Sequence, residues 1–160
     1  MSLGEAQRQG TAGYFSREMQ MLTNVRTVRV QWGDCDPAGI VFYPRYFEWF
    51  DACTILLFER ATGLKKIEML EKHGGAGLAL LEARAVFKRA SHYGEDLEIE
   101  TQVTEFRRSS FFVQHTVAKG GSLALEGFET RLWTVRDPAD KSRLKSAPLP
   151  AAILAGFHAA

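Results

Sequence analysis

One long helical pattern, surrounded by strand patterns, constrains the fold of this chain more than any other feature of its sequence. Between about Pro44 and Thr62, apolar side chains recur at spacings of three and four residues, which predicts a helix of about five turns. The recurring residues are Tyr46, Trp49, Phe50, Cys53, Leu56 and Leu57. Pro44 suits a first helical turn, where its missing N–H costs no hydrogen bond, and Gly63 is typical of the position after a helix ends.

Residues that alternate between apolar and polar predict strands on both sides of this helix. Before it, residues 28–32 alternate from Val28 to Trp32. After it, the same period of two runs through four longer segments, at residues 81–87, 97–103, 111–117 and 123–135. A break in the pattern near Gly127 predicts a β-bulge, and the adjacent Gly120 and Gly121 are typical of a hairpin turn.

This order of elements predicts an α+β fold in which an antiparallel sheet of about five strands wraps one long central helix, the hotdog fold. Shorter helices are expected over residues 65–73 and Ala151–His158. Residues 1–22 are expected to form a flexible N-terminal segment, and residues 23–160 a single domain.

Composition limits the environment and the partners. The formal net charge is +1, so we expect neither a nucleic acid nor an anionic membrane as partner. The sequence contains no run of about 18 apolar residues, so we expect no membrane span. The first twenty residues lack the apolar stretch of a signal peptide. The two cysteines, Cys35 and Cys53, do not make a disulfide framework. The expected location is the cytoplasm.

The most specific stretch of the sequence precedes and enters the long helix. Residues 30–46 read VQWGDCDPAGIVFYPRY, and residues 48–51 continue with EWFD. This long, ordered motif closely resembles the signature of the 4-hydroxybenzoyl-CoA thioesterase family. Weaker resemblance covers about residues 25–135 and includes residues 93–97 and 105–111.

The resemblance implies a hotdog acyl-CoA thioesterase that forms a homodimer, or a tetramer built as a dimer of dimers, with its active site between subunits. It assigns the catalytic carboxylate to Asp36 and the N–H that polarises the substrate carbonyl to the backbone of Tyr43. Asp51 corresponds to an acid near an aryl hydroxyl group of the substrate. Arg107 and Arg108 correspond to a basic cluster that contacts the nucleotide part of coenzyme A. No cofactor is expected, since coenzyme A is part of the substrate.

The physical chemistry of the motif supports these roles independently. Thioester hydrolysis places negative charge on the carbonyl oxygen, and the unpaired N–H groups at a helix N-terminus can stabilise that charge. A carboxylate in the preceding loop, such as Asp36, can attack the carbonyl carbon or take a proton from water. Thiolate is a good leaving group, so no metal is expected. A calcium loop that began at Asp34 would need an acid where Arg45 stands.

Several alternatives stay open from the sequence alone. For Asp34 we favour a structural role over a functional one. Glu48 is a candidate base, but an exposed position on the helix is the favoured interpretation. For His115 we favour a position in the core over a catalytic role. The acyl group is aromatic, hydroxybenzoyl- or benzoyl-like, or of medium chain length. An acyl-carrier-protein thioesterase and a non-catalytic acyl-CoA-binding protein are the competing functions.

Overall fold

A six-stranded antiparallel sheet with one long helix across its face forms the main body of the protein. The computed structural model describes residues 21–158. In chain order the elements are β1 (Thr23–Arg29), α1 (Pro44–Thr62), α2 (Lys66–His73), β2 (Gly77–Phe87), β3 (Asp96–Phe106), β4 (Ser110–Lys119), β5 (Ser122–Arg136), β6 (Leu144–Ser146) and α3 (Ala151–His158). The predicted α+β class and all three helices are confirmed. Most of the predicted N-terminal segment, residues 1–20, lies outside the described residues, whereas Leu22 at its end is buried.

The strands lie in the order β1-β3-β4-β5-β2, and the short β6 pairs with the end of β5. All pairings are antiparallel. The sheet therefore has one strand more than predicted, because β6 is too short to show a periodic pattern. None of the helices within residues 21–158 is long and apolar enough to cross a membrane.

The core lies between α1 and the inward-facing residues of the sheet. Burial alternates along β4, so that Phe111, Val113, His115 and Val117 all face the helix. On α1, Phe50, Cys53 and Leu57 are fully buried. Gly63 ends the helix with a left-handed backbone at φ 69°, which glycine adopts without a Cβ clash.

Two details of the predicted strands are wrong. β1 ends at Arg29, and Trp32 lies in a short 3-10 turn with 79% of its surface exposed. The chain turns there because the carboxylate of Asp34 accepts the N–H of Gln31 at 2.7 Å. The alternation of apolar and polar residues does not reveal this local hydrogen bond.

The predicted bulge at Gly127 is also misplaced. The register of β5 against β4 shifts at Ala124, where Val117 pairs with Leu125 and Ala118 with Leu123. Gly127 pairs in regular register. It is glycine for another reason, since a Cβ there would lie 2.3 Å from the ring of Phe50 on α1.

Candidate active site

The loop that leads into α1 holds Asp36 in a tight turn. The N–H of Gly39 donates to Asp36 O, and the N–H of Asp36 donates to Ile40 O, both at 2.9 Å. Gly39 has φ 80°, a conformation that favours glycine. The Asp36 carboxylate accepts the N–H of Ala38 on Oδ1 at 2.8 Å. One carboxylate oxygen is thus held by the backbone, and the other, Oδ2, makes no hydrogen bond within residues 21–158.

The half-buried Asp36 side chain lines a cavity of about 370 Å³. The cavity is bounded by Trp32, Cys35, Asp36, Pro37, Gly39 and Tyr93. The rings of Trp32 and Tyr93 meet edge to face, with centroids 5.7 Å apart, and both are well exposed. The structure thus places a carboxylate beside an aromatic wall, a suitable surface for an apolar acyl group or the arm of coenzyme A.

The N-terminus of α1 follows this loop directly. The N–H groups of Arg45 and Tyr46 donate to Phe42 O and Tyr43 O. The N–H of Tyr43 has no acceptor within residues 21–158. An unpaired N–H at the positive end of a helix is suited to a developing oxyanion.

The other acids near the helix N-terminus are already paired. Arg45 donates to both carboxylate oxygens of Glu48, at 3.2 and 2.9 Å, and lies 3.8 Å from Asp34 Oδ1. Asp34 also holds the 3-10 turn through Gln31. These contacts give Asp34 the structural role predicted for it and place Glu48 in a surface ion pair. Within residues 21–158, no group of three His, Cys, Asp or Glu side chains is arranged to hold a metal ion.

Asp51 lies farther along α1 and forms an ion pair that the sequence did not suggest. Its Oδ1 accepts Nη2 of Arg131 at 2.8 Å. The Arg131 side chain is only 4% exposed, whereas that of Asp51 is 54% exposed. Asp51 therefore connects a buried cation to the surface of the helix.

Arg131 belongs to a polar network buried between α1 and the sheet. Its Nε and Nη2 donate to the two oxygens of Glu129 at 2.8 and 2.9 Å, and Thr54 Oγ1 donates to Glu129 Oε2 at 2.9 Å. His115 is fully buried, as predicted, with Nδ1 2.9 Å from Thr101 Oγ1. Its Nε2 lies 3.3 Å from Glu129 Oε2 but without hydrogen-bonding geometry.

The network explains the ionisation of Glu129. Burial acts to raise the pKa of its carboxyl group, but interactions with His115 and Arg131 outweigh burial and hold the pKa at about 2. Burial likewise acts to lower the pKa of Arg131, yet Glu129 and Asp51 raise it overall. Glu129 and Arg131 are therefore both charged at neutral pH.

Arg107 and Arg108 are not near Asp36 within one chain. Both are exposed in the turn between β3 and β4. Arg107 donates to Glu105 at 2.8 Å and lies over the ring of Phe112. The Asp36 loop lies at the other end of β3, where Ile40 bridges to His92. The eleven residues of β3 separate the two regions by about 35 Å.

Sequence reasoning missed Trp32 and Tyr93 as cavity walls and Glu129 and Arg131 as a buried pair. A signal for the pair was present. Glu129 and Arg131 fall on the same face of β5 as the buried Trp133, so the alternating pattern placed two charges toward the core. Buried charges of opposite sign at such positions predict an internal ion pair.

Comparison with known proteins gives a consistent result. A family model described as the thioesterase-like superfamily matches residues 30–157. The chain is 33% identical over 128 residues to 4-hydroxybenzoyl-CoA thioesterase from Pseudomonas sp. (strain CBS-3), a match that covers 77% of this chain and 89% of that protein.

Solved structures agree with this match. A mutant of 4-hydroxybenzoyl CoA thioesterase complexed with 4-hydroxybenzoyl CoA superposes with a TM-score of 0.77 at 30% identity, covering 84% of this chain and 98% of that chain. Gentisyl-coenzyme A thioesterase gives 0.71 at 29% identity, covering 84% and 99%. These similarities confirm the predicted hotdog fold.

Proposed function

The chain belongs to the thioesterase-like superfamily, within it to the 4-hydroxybenzoyl-CoA thioesterase family, and on that premise we propose that it hydrolyses an aromatic acyl-CoA to the free acid and coenzyme A. Thioester hydrolysis is the activity of this family. The similar proteins act on 4-hydroxybenzoyl and gentisyl thioesters by name, and both acyl groups are hydroxylated aromatics. We therefore favour an aromatic acyl group over one of medium chain length.

The observation that carries the proposal is the carboxylate of Asp36 in a cavity of the loop that enters α1. The turn fixes this carboxylate through one oxygen, and the N–H of Tyr43 in the same segment is unpaired within the described residues. A base or nucleophile and an oxyanion donor are the two groups that thioester hydrolysis needs.

Asp36 can act by either of two routes. As nucleophile, its oxygen attacks the thioester carbon, coenzyme A leaves as thiolate, and water cleaves the resulting anhydride and restores the carboxylate. As general base, it takes a proton from a water molecule that attacks the same carbon. Each route consumes one water and yields one acid and one thiol, and neither needs a cofactor.

We propose a homodimer, or a tetramer assembled from two such dimers, formed at the edge strand β2. This strand is eleven residues long, and within residues 21–158 it pairs only with β5. Leu80, Leu81 and Phe87 are each more than half exposed along it. A long apolar edge of this kind favours pairing with a second chain.

Such pairing also supports an active site shared between subunits. An antiparallel contact of two β2 strands would bring the β3–β4 turn of one chain to the end of the sheet that holds Asp36 in the other. Arg107 and Arg108 of one subunit would then serve the coenzyme A bound at Asp36 of its neighbour. Arginine suits this role because its planar fork of donors matches phosphate.

Cys35 and Cys53 are free thiols, consistent with our expectation of a cytoplasmic enzyme.

The test is thiol release from benzoyl-, 4-hydroxybenzoyl-, phenylacetyl- and straight-chain acyl-CoA. We expect the native protein to turn over an aromatic member, and Asp36→Asn to lower kcat by about 10²- to 10⁴-fold. Glu48→Gln is the matched control, because it neutralises an exposed acid near the same helix end and should keep its activity.

Each alternative has its own outcome. Binding of acyl-CoA without thiol release would indicate the non-catalytic binding protein. Cleavage of acyl-carrier-protein thioesters in preference to CoA thioesters would indicate the carrier-protein enzyme. If Asp36→Asn stays fully active while Glu48→Gln does not, the catalytic acid is Glu48.

A further inference from the structure

The buried network beneath α1 has no part in the mechanism above, yet it reaches the helix surface at Asp51. The family resemblance places Asp51 near an aryl hydroxyl group of the substrate, and we propose that Arg131 is a positioning residue that fixes the Asp51 carboxylate as the acceptor for that hydroxyl group. The inference rests on the proposed function and extends it from the reacting carbonyl to the far end of the acyl group.

The surface of α1 offers a path between these two points. Tyr43, Phe47 and Asp51 are spaced four residues apart, so they follow one another along one side of the helix. Eight residues at 1.5 Å each place Asp51 about 12 Å beyond Tyr43 along the helix axis. An acyl group whose carbonyl oxygen accepts the Tyr43 N–H can therefore extend past the half-buried Phe47 toward Asp51. The apolar ring of such an acyl group then contacts Phe47, and its polar end reaches the Asp51 carboxylate.

Arg131 fixes one oxygen of Asp51 and leaves the other exposed. Its Nη2 holds Oδ1 at 2.8 Å, and Nη1 donates to Leu78 O on β2 at 3.1 Å. Oδ2 makes no hydrogen bond within residues 21–158. A carboxylate held in this way presents a single acceptor in a set direction, which suits one hydroxyl donor.

The support behind Arg131 is rigid because Glu129 holds it with two hydrogen bonds. Thr54, itself fully buried, donates to the same carboxylate from α1. The ring of His115 lies beside Glu129 and stacks on Phe50 at a centroid distance of 4.3 Å. The guanidinium thus cannot follow Asp51 if that side chain moves, and Asp51 is bound to a fixed point.

A fixed acceptor discriminates between acyl groups. A hydroxylated aryl group satisfies Oδ2, whereas an unsubstituted one displaces water from the carboxylate and offers no donor in return. Loss of the fixed geometry should therefore weaken selectivity for the hydroxyl group more than it weakens turnover in general.

The experiment compares kcat/KM for 4-hydroxybenzoyl-CoA and benzoyl-CoA in the native protein, Arg131→Lys and Arg136→Lys. Lysine keeps the charge but lacks the fork that joins Glu129 to Asp51. We expect the ratio of the two kcat/KM values to fall about tenfold in Arg131→Lys, chiefly through a higher KM for the hydroxylated substrate. Arg136 is an exposed arginine of the same strand, so Arg136→Lys should keep the native ratio.

Two further variants keep the proposal testable. Glu129→Asp retains both charges but shortens the side chain that holds Arg131 by one methylene, so it should also lower the ratio of the two kcat/KM values. It replaces Arg131→Lys in the test if that variant does not fold. Asp51→Asn combined with Arg131→Lys should lower it no further than Asp51→Asn alone, because both act through one contact. An unchanged ratio in folded Arg131→Lys or Glu129→Asp would overturn the inference. A native protein that cleaves neither thioester contradicts the proposed function itself.

Discussion

Two acidic side chains near the central helix, Asp36 in the loop before it and Glu129 beneath its middle, are held in opposite ways. The contacts of Asp36 come from residues within four positions along the chain. Those of Glu129 come from α1, β4 and β5, up to 75 residues away. A local turn positions a carboxylate with few contacts, whereas a buried ion pair requires the whole core around it.

This difference separates stability from activity in the two regions. Removal of one partner from a buried pair leaves an uncompensated charge, so changes at Glu129 should affect folding. A half-buried carboxylate on a surface loop contributes little to folding, so changes at Asp36 should affect chemistry alone. The contrast between the two regions should appear in the free energy of unfolding of their variants.

The largest effect is expected for Glu129→Gln. It leaves the buried guanidinium of Arg131 without its bidentate carboxylate, and should lower the free energy of unfolding by about 3 kcal/mol at pH 7. Urea denaturation measures it. Glu126→Gln, which removes a partly exposed acid of the same strand paired with Lys88, should change stability by less than about 1 kcal/mol. Equal effects of the two variants would contradict the contrast.

The cost of Glu129→Gln should also depend on pH. The pKa of Glu129 is about 2 in the folded protein, against 4.5 as its ordinary value. The stabilisation from its charge is therefore complete above about pH 4.5 and is lost as the pH falls toward 2. Denaturation midpoints of the native and variant proteins should converge over this window. If the difference between the two denaturation midpoints stays constant down to pH 2.5, the charge of Glu129 is not the cause of the stability difference.

A smaller effect is expected where the helix touches the sheet most closely. Gly127→Ala places a Cβ 2.3 Å from the Phe50 ring, which also stacks on His115. The ring must shift, and overpacking of this kind costs about 1–3 kcal/mol. Thermal unfolding would detect the loss, and wild-type stability in Gly127→Ala would mean that the ring moves freely.

In the loop that holds Asp36, Gly39→Ala should lower the free energy of unfolding by about 1–2 kcal/mol, from backbone strain alone. Its φ is 80°, and a Cβ there meets no atom within 4 Å. Because Gly39 closes the turn that holds Asp36, kcat should fall as well. Gly33→Ala is the matched control, since it has equal space and no positive φ, and it should retain both stability and kcat.

The smallest change in stability is expected for Asp36→Asn, at less than about 0.5 kcal/mol. The asparagine oxygen can still accept the N–H of Ala38, so the turn survives while the charge is lost. Calorimetry beside the thiol-release assay would test this. A large loss of stability would mean that Asp36 holds the loop through its charge, and the contrast with Glu129 would fail.

The sequence by itself determined the helix, the main strands and the candidate catalytic acid. Periodicity and the positions of Pro and Gly are local properties, so Pro44, Gly63 and the alternating segments predicted the bounds of α1 and of β3 to β5 to within a few residues. The first strand was predicted over residues 28–32 but lies at Thr23–Arg29. The Asp36 turn likewise depends on adjacent residues, so its motif could be recognised in the sequence. The assigned roles of Asp36, Tyr43, Arg107 and Arg108 stay predictions for the assays above.

Only the tertiary structure decided which distant residues meet. It paired Asp51 with Arg131, placed Trp32 and Tyr93 around Asp36, and put Arg107 and Arg108 at the opposite end of β3. It also showed that Gly127 is required by the Phe50 ring and not by a bulge. These facts depend on how the helix lies across the sheet, and that packing is set by side chains far apart in the chain, which no local pattern encodes.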